Sequence, residues 1–179
     1  MKTVVINLFG GPGCGKSTIA AELFATLKKQ GYEVELVTEY AKDKVWEESY
    51  KTLENQIYVF AKQLHRMWRL KDKVQFIITD SPLPLSIIYD KDKNEDLKNL
   101  IITTFNSFDN INIVINRSTV YNQNGRYQNE EQANELGFAT VQEALDNDYS
   151  IVDGQLTYDA EKGLALAHEA WLKEKEEVI

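Results

Sequence analysis

The sequence predicts an α/β fold built on a parallel sheet with helices on both faces. Three observations carry that expectation. Short apolar runs alternate with longer segments of helical period along the chain, the pattern of strands buried by crossover helices. The glycine-rich stretch Gly10 to Gly15 stands between the first apolar run and the first helical segment. A later run, Val74 to Thr79, closes in Asp80, at the end of a strand where sheets of this class hold their ligands.

The first strand is expected over Thr3 to Phe9. Gly10-x-x-x-x-Gly15-Lys16-Ser17 follows it, the complete phosphate-loop pattern. Backbone N–H groups can wrap a phosphate only where no Cβ blocks them, hence glycine. The helix that starts here adds free donors and a partial positive charge. Lys16 reaches toward the outer phosphates, and the Ser17 hydroxyl suits Mg²⁺. The nucleotide-binding segment is therefore Gly11, Pro12, Gly13, Cys14, Gly15, Lys16, Ser17 and Thr18. A chance match somewhere in a chain of average composition has a probability of roughly one in a hundred, and the strand–loop–helix context lowers it. Cys14 reads as a small spacer in the loop.

The first helix spans Ser17 to Gln30, with Ile19, Ala20, Leu23, Phe24 and Leu27 on one face and Gly31 ending it. A second strand, Tyr32 to Glu39, ends in Glu39-Tyr40-Ala41, and a strand-ending carboxylate points into the ligand crevice. Val45 to Tyr50 reads as loop or short helix. A long helix is expected from Leu53 to Lys71, capped by Thr52, with Ile57, Phe60, Leu64, Met67 and Trp68 inward. Gln56, Gln63, His65, Arg66 and Arg69 fall on its other faces. Asp80 at the end of the third strand suits Mg²⁺ or an acceptor hydroxyl. Helical pieces follow between Leu85 and Phe108, with Leu97, Leu100, Ile101 and Phe105 at helical spacing. A fourth strand spans Asn110 to Ile115. The polar stretch after it, holding Arg117, Gly125 and Arg126, leads to Asn129 and Gln132, a reciprocal helix cap. Thr140 to Glu143 reads as a second one. A fifth strand is expected over Tyr149 to Val152, and a last helix over Asp159 to Glu176.

The 179 residues, 43% of them hydrophobic, suit one domain with a real core. No apolar run approaches a membrane span, and no signal peptide precedes the loop. Cys14 is the only cysteine, so a cytoplasmic location is the default. The net charge of −8 disfavours broad contact with a nucleic-acid backbone.

Taken together, the loop, the Glu39-Tyr40-Ala41 turn, Asp80 and the Gly125-Arg126 stretch resemble small P-loop kinases of the nucleoside and nucleotide kinase group. The likeness extends to nicotinamide riboside kinase-like domains and phage-type ATP-binding kinases. The chain departs from deoxynucleoside kinases at the third strand, where Asp80-Ser81-Pro82 stands in place of Glu-Arg-Ser. The resemblance implies five parallel strands in order 2-3-1-4-5 within a single domain, residues 1–179, and a lid at about 117–137. It implies transfer of the γ-phosphoryl of ATP, with Mg²⁺ on Ser17 and Asp80, to a nucleoside or nucleotide acceptor. Lys16 would hold the donor, Glu39 or Asp80 would serve the acceptor oxygen, and Arg117 and Arg126 would neutralise charge on lid closure. Tyr40, Gln63 and Arg66 would contact the acceptor. Two other readings stand beside this one: a kinase acting on a base or hydroxyl within nucleic acid, and an NTP-hydrolysing switch. The chain lacks the Asn-Lys-x-Asp guanine motif of GTPase switches.

Overall fold

The computed structural model describes residues 2–115, 126 and 128–146. Four strands, β1 (Val4–Phe9), β2 (Val34–Val37), β3 (Phe76–Thr79) and β4 (Asp109–Val114), form one parallel sheet in the order β2-β3-β1-β4. This agrees with the first four positions of the expected order. The expected fifth strand, the last helix, Arg117 and most of the expected lid before residue 130 lie outside the described residues.

Strand β1 shows why the sheet has a helical layer on each side. All six of its residues are buried. Val4, Ile6 and Leu8 pack on one face with Ile19, Leu23 and Leu27 of α1 (Lys16–Lys29). Val5 and Phe9 pack on the other with Phe60 and Met67 of α4 (Gln56–Trp68) and Ile101 and Phe105 of α6 (Glu95–Phe105). Alternation along a strand sends successive side chains to opposite layers. Asn7 interrupts the second set. It is buried, and its amide donates to Asn110 Oδ1 at 2.9 Å and Asn112 Oδ1 at 3.0 Å on β4, which partners its donor across the sheet.

Short helices connect these layers. They are α2 (Tyr40–Trp46), α3 (Tyr50–Leu53) and α5 (Leu85–Tyr89). Helix α7 (Glu130–Asp146) follows β4. Its start is the reciprocal cap expected from sequence: Gln132 N–H donates to Asn129 Oδ1 at 2.9 Å, and Asn129 N–H to Gln132 Oε1 at 3.0 Å.

Several local expectations fail for identifiable reasons. Asn55, not Thr52, caps α4, accepting from the Tyr58 N–H at 3.1 Å. With that start, Val59, Phe60, Gln63 and Met67 form the inward face. Ile57 and Trp68 are 58% and 64% exposed instead, and Gln56 and Gln63 are buried rather than solvated. Leu100 is exposed because Leu97, Ile101 and Phe105, four residues apart, already fill the buried stripe of α6. No second cap forms at Thr140. Helix α7 runs through it, and its hydroxyl donates back to Leu136 O at 2.7 Å, the i−4 bond that lets Thr sit inside a helix.

Leu23 is fully buried between α1 and the sheet. Leu23→Ala should cost about 2–5 kcal/mol of stability, whereas the exposed Leu100→Ala should stay within about 0.5 kcal/mol. Denaturant unfolding of the two variants checks this, and similar losses in both would contradict the layer assignment.

Candidate active site

The register of the sheet assembles the site. β1 pairs with β3 so that Asn7 lies opposite Thr79, and β2 pairs with β3 so that Val37 does too. The segments that leave β1, β2 and β3 therefore emerge at one edge. They carry the glycine loop, Glu39 and Asp80.

The loop turns tightly into α1. Gly15 takes a left-handed φ of +97° at the N-cap, where an L side chain is strained. Gly11 is held by space instead. A Cβ there would lie 2.6 Å from the Cα of Gly137 on α7, so α7 rests directly on the loop. The first N–H groups of α1 have no carbonyl ahead of them in the helix and carry its positive end. That is an anion cradle. Lys16 folds back over it, donating to Gly10 O at 2.7 Å and Gly11 O at 2.9 Å. Cys14 is buried in the core behind the loop.

Asp80 is 5% exposed. Its Oδ2 accepts from the Ser17 hydroxyl at 2.5 Å, while its Oδ1 is buried with no hydrogen-bond partner among the described residues. Glu39 occupies the N-cap position of α2 without capping it, which leaves its carboxylate for the cavity. Burial pushes the Glu39 carboxyl above its ordinary value near 4.5, and the charge of Asp80 adds to this. Lys16, Lys42 and Arg126 pull the other way. A carboxyl with raised proton affinity among fixed charges in a cleft is a functional candidate.

Lys16, Ser17 and Glu39 border one cavity of about 670 Å³; Asp80 is not among the described residues lining it, although its hydrogen-bond partner Ser17 and its neighbour Ser81 are. Gly13 and Gly15–Thr18 line it together with Glu39 and with Tyr50, Leu53, Gln56, Val59, Leu85 and Tyr89. Arg126 and, from α7, Gln132, Glu135 and Leu136 line the cavity as well. Gln56 was not expected from the sequence. It is buried, its Nε2 donates to Leu53 O at 2.7 Å, and its Oε1 has no partner among the described residues. The signal lay in Asn55, whose role as cap sets the face on which Gln56 sits.

The three expected acceptor contacts lie elsewhere: none is among the described residues lining the cavity. The Tyr40 ring packs edge-on against Tyr58 and under the Arg66 guanidinium. Arg66 bonds Thr38 O at 3.1 Å and pairs with Asp43. Gln63 is buried and accepts from the Tyr40 N–H.

The charges make a direct prediction. Replacing Asp80 by Asn should lower the titration midpoint of Glu39, and replacing Lys16 by Met should raise it, as followed by carboxyl carbon NMR. A wild-type midpoint at or below 4.5 would contradict the described surroundings.

Comparison with known proteins places this geometry. A family described as an AAA domain matches residues 5–156. No curated protein matches the sequence. Among solved structures, the NadR protein in complex with NR superposes with a TM-score of 0.64 at 17% identity over 93% of this chain. The match takes in 51% of that protein, so the chain spans about half its length. Deoxyadenosine kinase from M. mycoides, with products dCMP and a flexible dCDP bound, gives 0.53 at 24% identity over 94% of this chain and 99% of that one. The same enzyme with dATP bound gives 0.51 at 24% identity, covering 93% and 98%. These likenesses show a shared fold, the parallel-sheet P-loop kinase-like architecture. The family match spans well over half of the sequence, and the protein belongs to this AAA-domain family.

Proposed function

We propose that the protein transfers the γ-phosphoryl group of ATP to a nucleoside or nucleotide-type acceptor. The observation that supports this most is the convergence of three groups on one cavity. Loop residues including Lys16 and Ser17, the carboxyl residue Glu39, and Gln56 with its apolar neighbours all line it, and Ser17 ties the loop to Asp80. A switch that only hydrolyses NTP has no use for apolar lining such as Leu53, Val59 and Leu85 around a buried amide oxygen that has no partner among the described residues.

In this reading the loop N–H groups and Lys16 hold the triphosphate. Lys16 exchanges the carbonyls of Gly10 and Gly11 for phosphate oxygens. Magnesium fits the donor set: Asp80 Oδ1 is a buried carboxylate oxygen with no partner among the described residues, beside the Ser17 hydroxyl, and hard oxygen ligands suit that ion. Ser17 and Asp80 would hold it, and it would neutralise charge on the phosphates. Glu39 accepts the proton of the acceptor hydroxyl as that oxygen bonds to the γ-phosphorus. The bond from the γ-phosphorus to the bridging oxygen breaks, leaving ADP and the phosphorylated acceptor. Arg126, which lines the cavity and acts on the Glu39 charge, neutralises the transferring group. Arg117, outside the described residues, is the second cation of this reading. The deoxyadenosine kinase with dATP bound supports a nucleotide of this kind in the shared fold. Gln56 Oε1 would accept from an N–H or O–H of the acceptor, with Tyr50 and Tyr89 offering aromatic surface.

The test is ADP formation from ATP with and without a panel of nucleosides, nucleoside monophosphates and DNA oligomers. Turnover should require one small acceptor, and its kcat/KM should fall on the acid side through a pKa above 4.5, because Glu39 must be ionised. Gln56→Leu should raise the acceptor KM roughly tenfold or more, since a site built to bond a polar group loses that much with it, and leave the ATP KM unchanged. ATP hydrolysis independent of any acceptor would overturn the reading.

A further inference from the structure

Glu39 and Asp80 stand on separate strand ends, and the sheet does not hold them together. The last paired residues of β2 and β3 are Val37 and Thr79. Beyond them the ladder stops, one residue short of Asp80 and two short of Glu39. Chain ends released from a ladder separate unless other bonds join them.

One buried side chain supplies those bonds. Gln63 of α4 is 4% exposed. Its Oε1 accepts from the Tyr40 N–H at 2.9 Å. Its Nε2 donates to Thr38 O and to Thr79 Oγ1, each at 3.4 Å. Thr79 Oγ1 in turn accepts from the Ser81 N–H at 3.1 Å. The residues on either side of Glu39, and those on either side of Asp80, are thus tied to a single amide, the last of them through Thr79. The amide orientation follows from its partners: a main-chain N–H requires the oxygen, and a carbonyl requires the NH₂. Arg66, nearly one turn further along α4, braces the same turn through Thr38 O at 3.1 Å.

We infer that Gln63 is a positioning residue whose amide sets the spacing between the Glu39 and Asp80 carboxylates. This rests on the phosphoryl-transfer reading above, in which one carboxylate serves the acceptor oxygen and the other the donor side. The reaction requires those two to sit at a fixed distance. Gln63 does not touch the substrates; it acts through the strand ends. No close relative of glutamine replaces it. Asparagine is a methylene shorter, glutamate has no donor when ionised, and methionine keeps the length without either function.

The test uses the whole 179-residue chain. Gln63→Met preserves length and packing and removes both hydrogen-bonding groups. It should lower kcat roughly tenfold or more, the usual consequence of losing a group that orients a functional one, with the KM for ATP and acceptor little changed. A residue that merely stabilised the fold would not split kcat from KM in this way. Amide hydrogen exchange should quicken at Tyr40 and also at Ser81, which Gln63 reaches only through Thr79. In Gln63→Glu, the Tyr40 amide should keep its protection while Ser81 loses it. Thr79→Val, nearly isosteric, removes the β3 side of the clamp, the bonds that Thr79 Oγ1 accepts from Gln63 and from the Ser81 N–H, and leaves the bonds of Gln63 to Thr38 and Tyr40. It should lower kcat in the same direction and combine non-additively with Gln63→Met; it carries the test if Gln63→Met does not fold. Unchanged kcat in the variants of an active wild type, or unchanged exchange at Ser81, would overturn the inference. Wild-type protein that transfers phosphoryl to no acceptor would overturn the proposed function instead, and the exchange measurement would still decide the clamp.

Discussion

The hydrogen bond from Ser17 Oγ to Asp80 Oδ2 joins the start of α1 to the end of β3, and the rest of the site depends on it. The contact exists because β1 and β3 run parallel in a register that sets Asn7 opposite Thr79. That register is enforced by burial on both faces. A slip of one residue would turn Ile77 and Ile78 to the wrong layers and move Asp80 off the loop. Two separate hydrophobic layers thus fix the placement of one polar pair.

The site concentrates charge at a cost. Asp80 is nearly inaccessible, Glu39 is half-buried, and Lys16, Lys42 and Arg126 offset the burial of the Glu39 carboxylate. Burial and like charge favour the protonated form of Glu39 while the cations favour the ionised one. An incoming polyphosphate would draw Lys16 away from the loop carbonyls and alter that balance. The same protein would then present Glu39 with a different field once nucleotide is bound. Helix α7 is part of this arrangement, since it rests on Gly11 and lines the cavity with Gln132, Glu135 and Leu136.

The parts legible in the sequence were those written in local chemistry. The loop pattern needs particular residues at fixed spacing, so Lys16 and Ser17 could be located directly. Asp80 and Glu39 follow apolar runs, which places them at strand ends. The Asn129–Gln132 cap formed because both halves lie within one turn. What failed depended on choices between near-equal local options. Thr52 and Asn55 are both good caps, and selecting the wrong one rotates the expected face of α4. That choice left Gln56 unnoticed; the acceptor role of Gln63 and Arg66 came from the family resemblance, whereas in the structure both bond Thr38 beside Glu39. Thr140 carries a cap pattern, yet a helix already begun at Glu130 has no reason to start again. Contacts such as Gly11 against Gly137 join residues far apart in sequence, and no local pattern encodes them.

A crystal structure with Mg²⁺, ADP, aluminium fluoride and an acceptor nucleoside would test the central claim most directly. The aluminium fluoride stands in for the transferring phosphoryl group. The account predicts it between the loop and Glu39, with Lys16 Nζ moved from the carbonyls of Gly10 and Gly11 onto the phosphate-side ligands. It also predicts the metal beside Ser17 and Asp80 and the acceptor hydroxyl within hydrogen-bond distance of Glu39. Lys16 still on those carbonyls, or an acceptor bound away from Glu39 and Gln56, would contradict it.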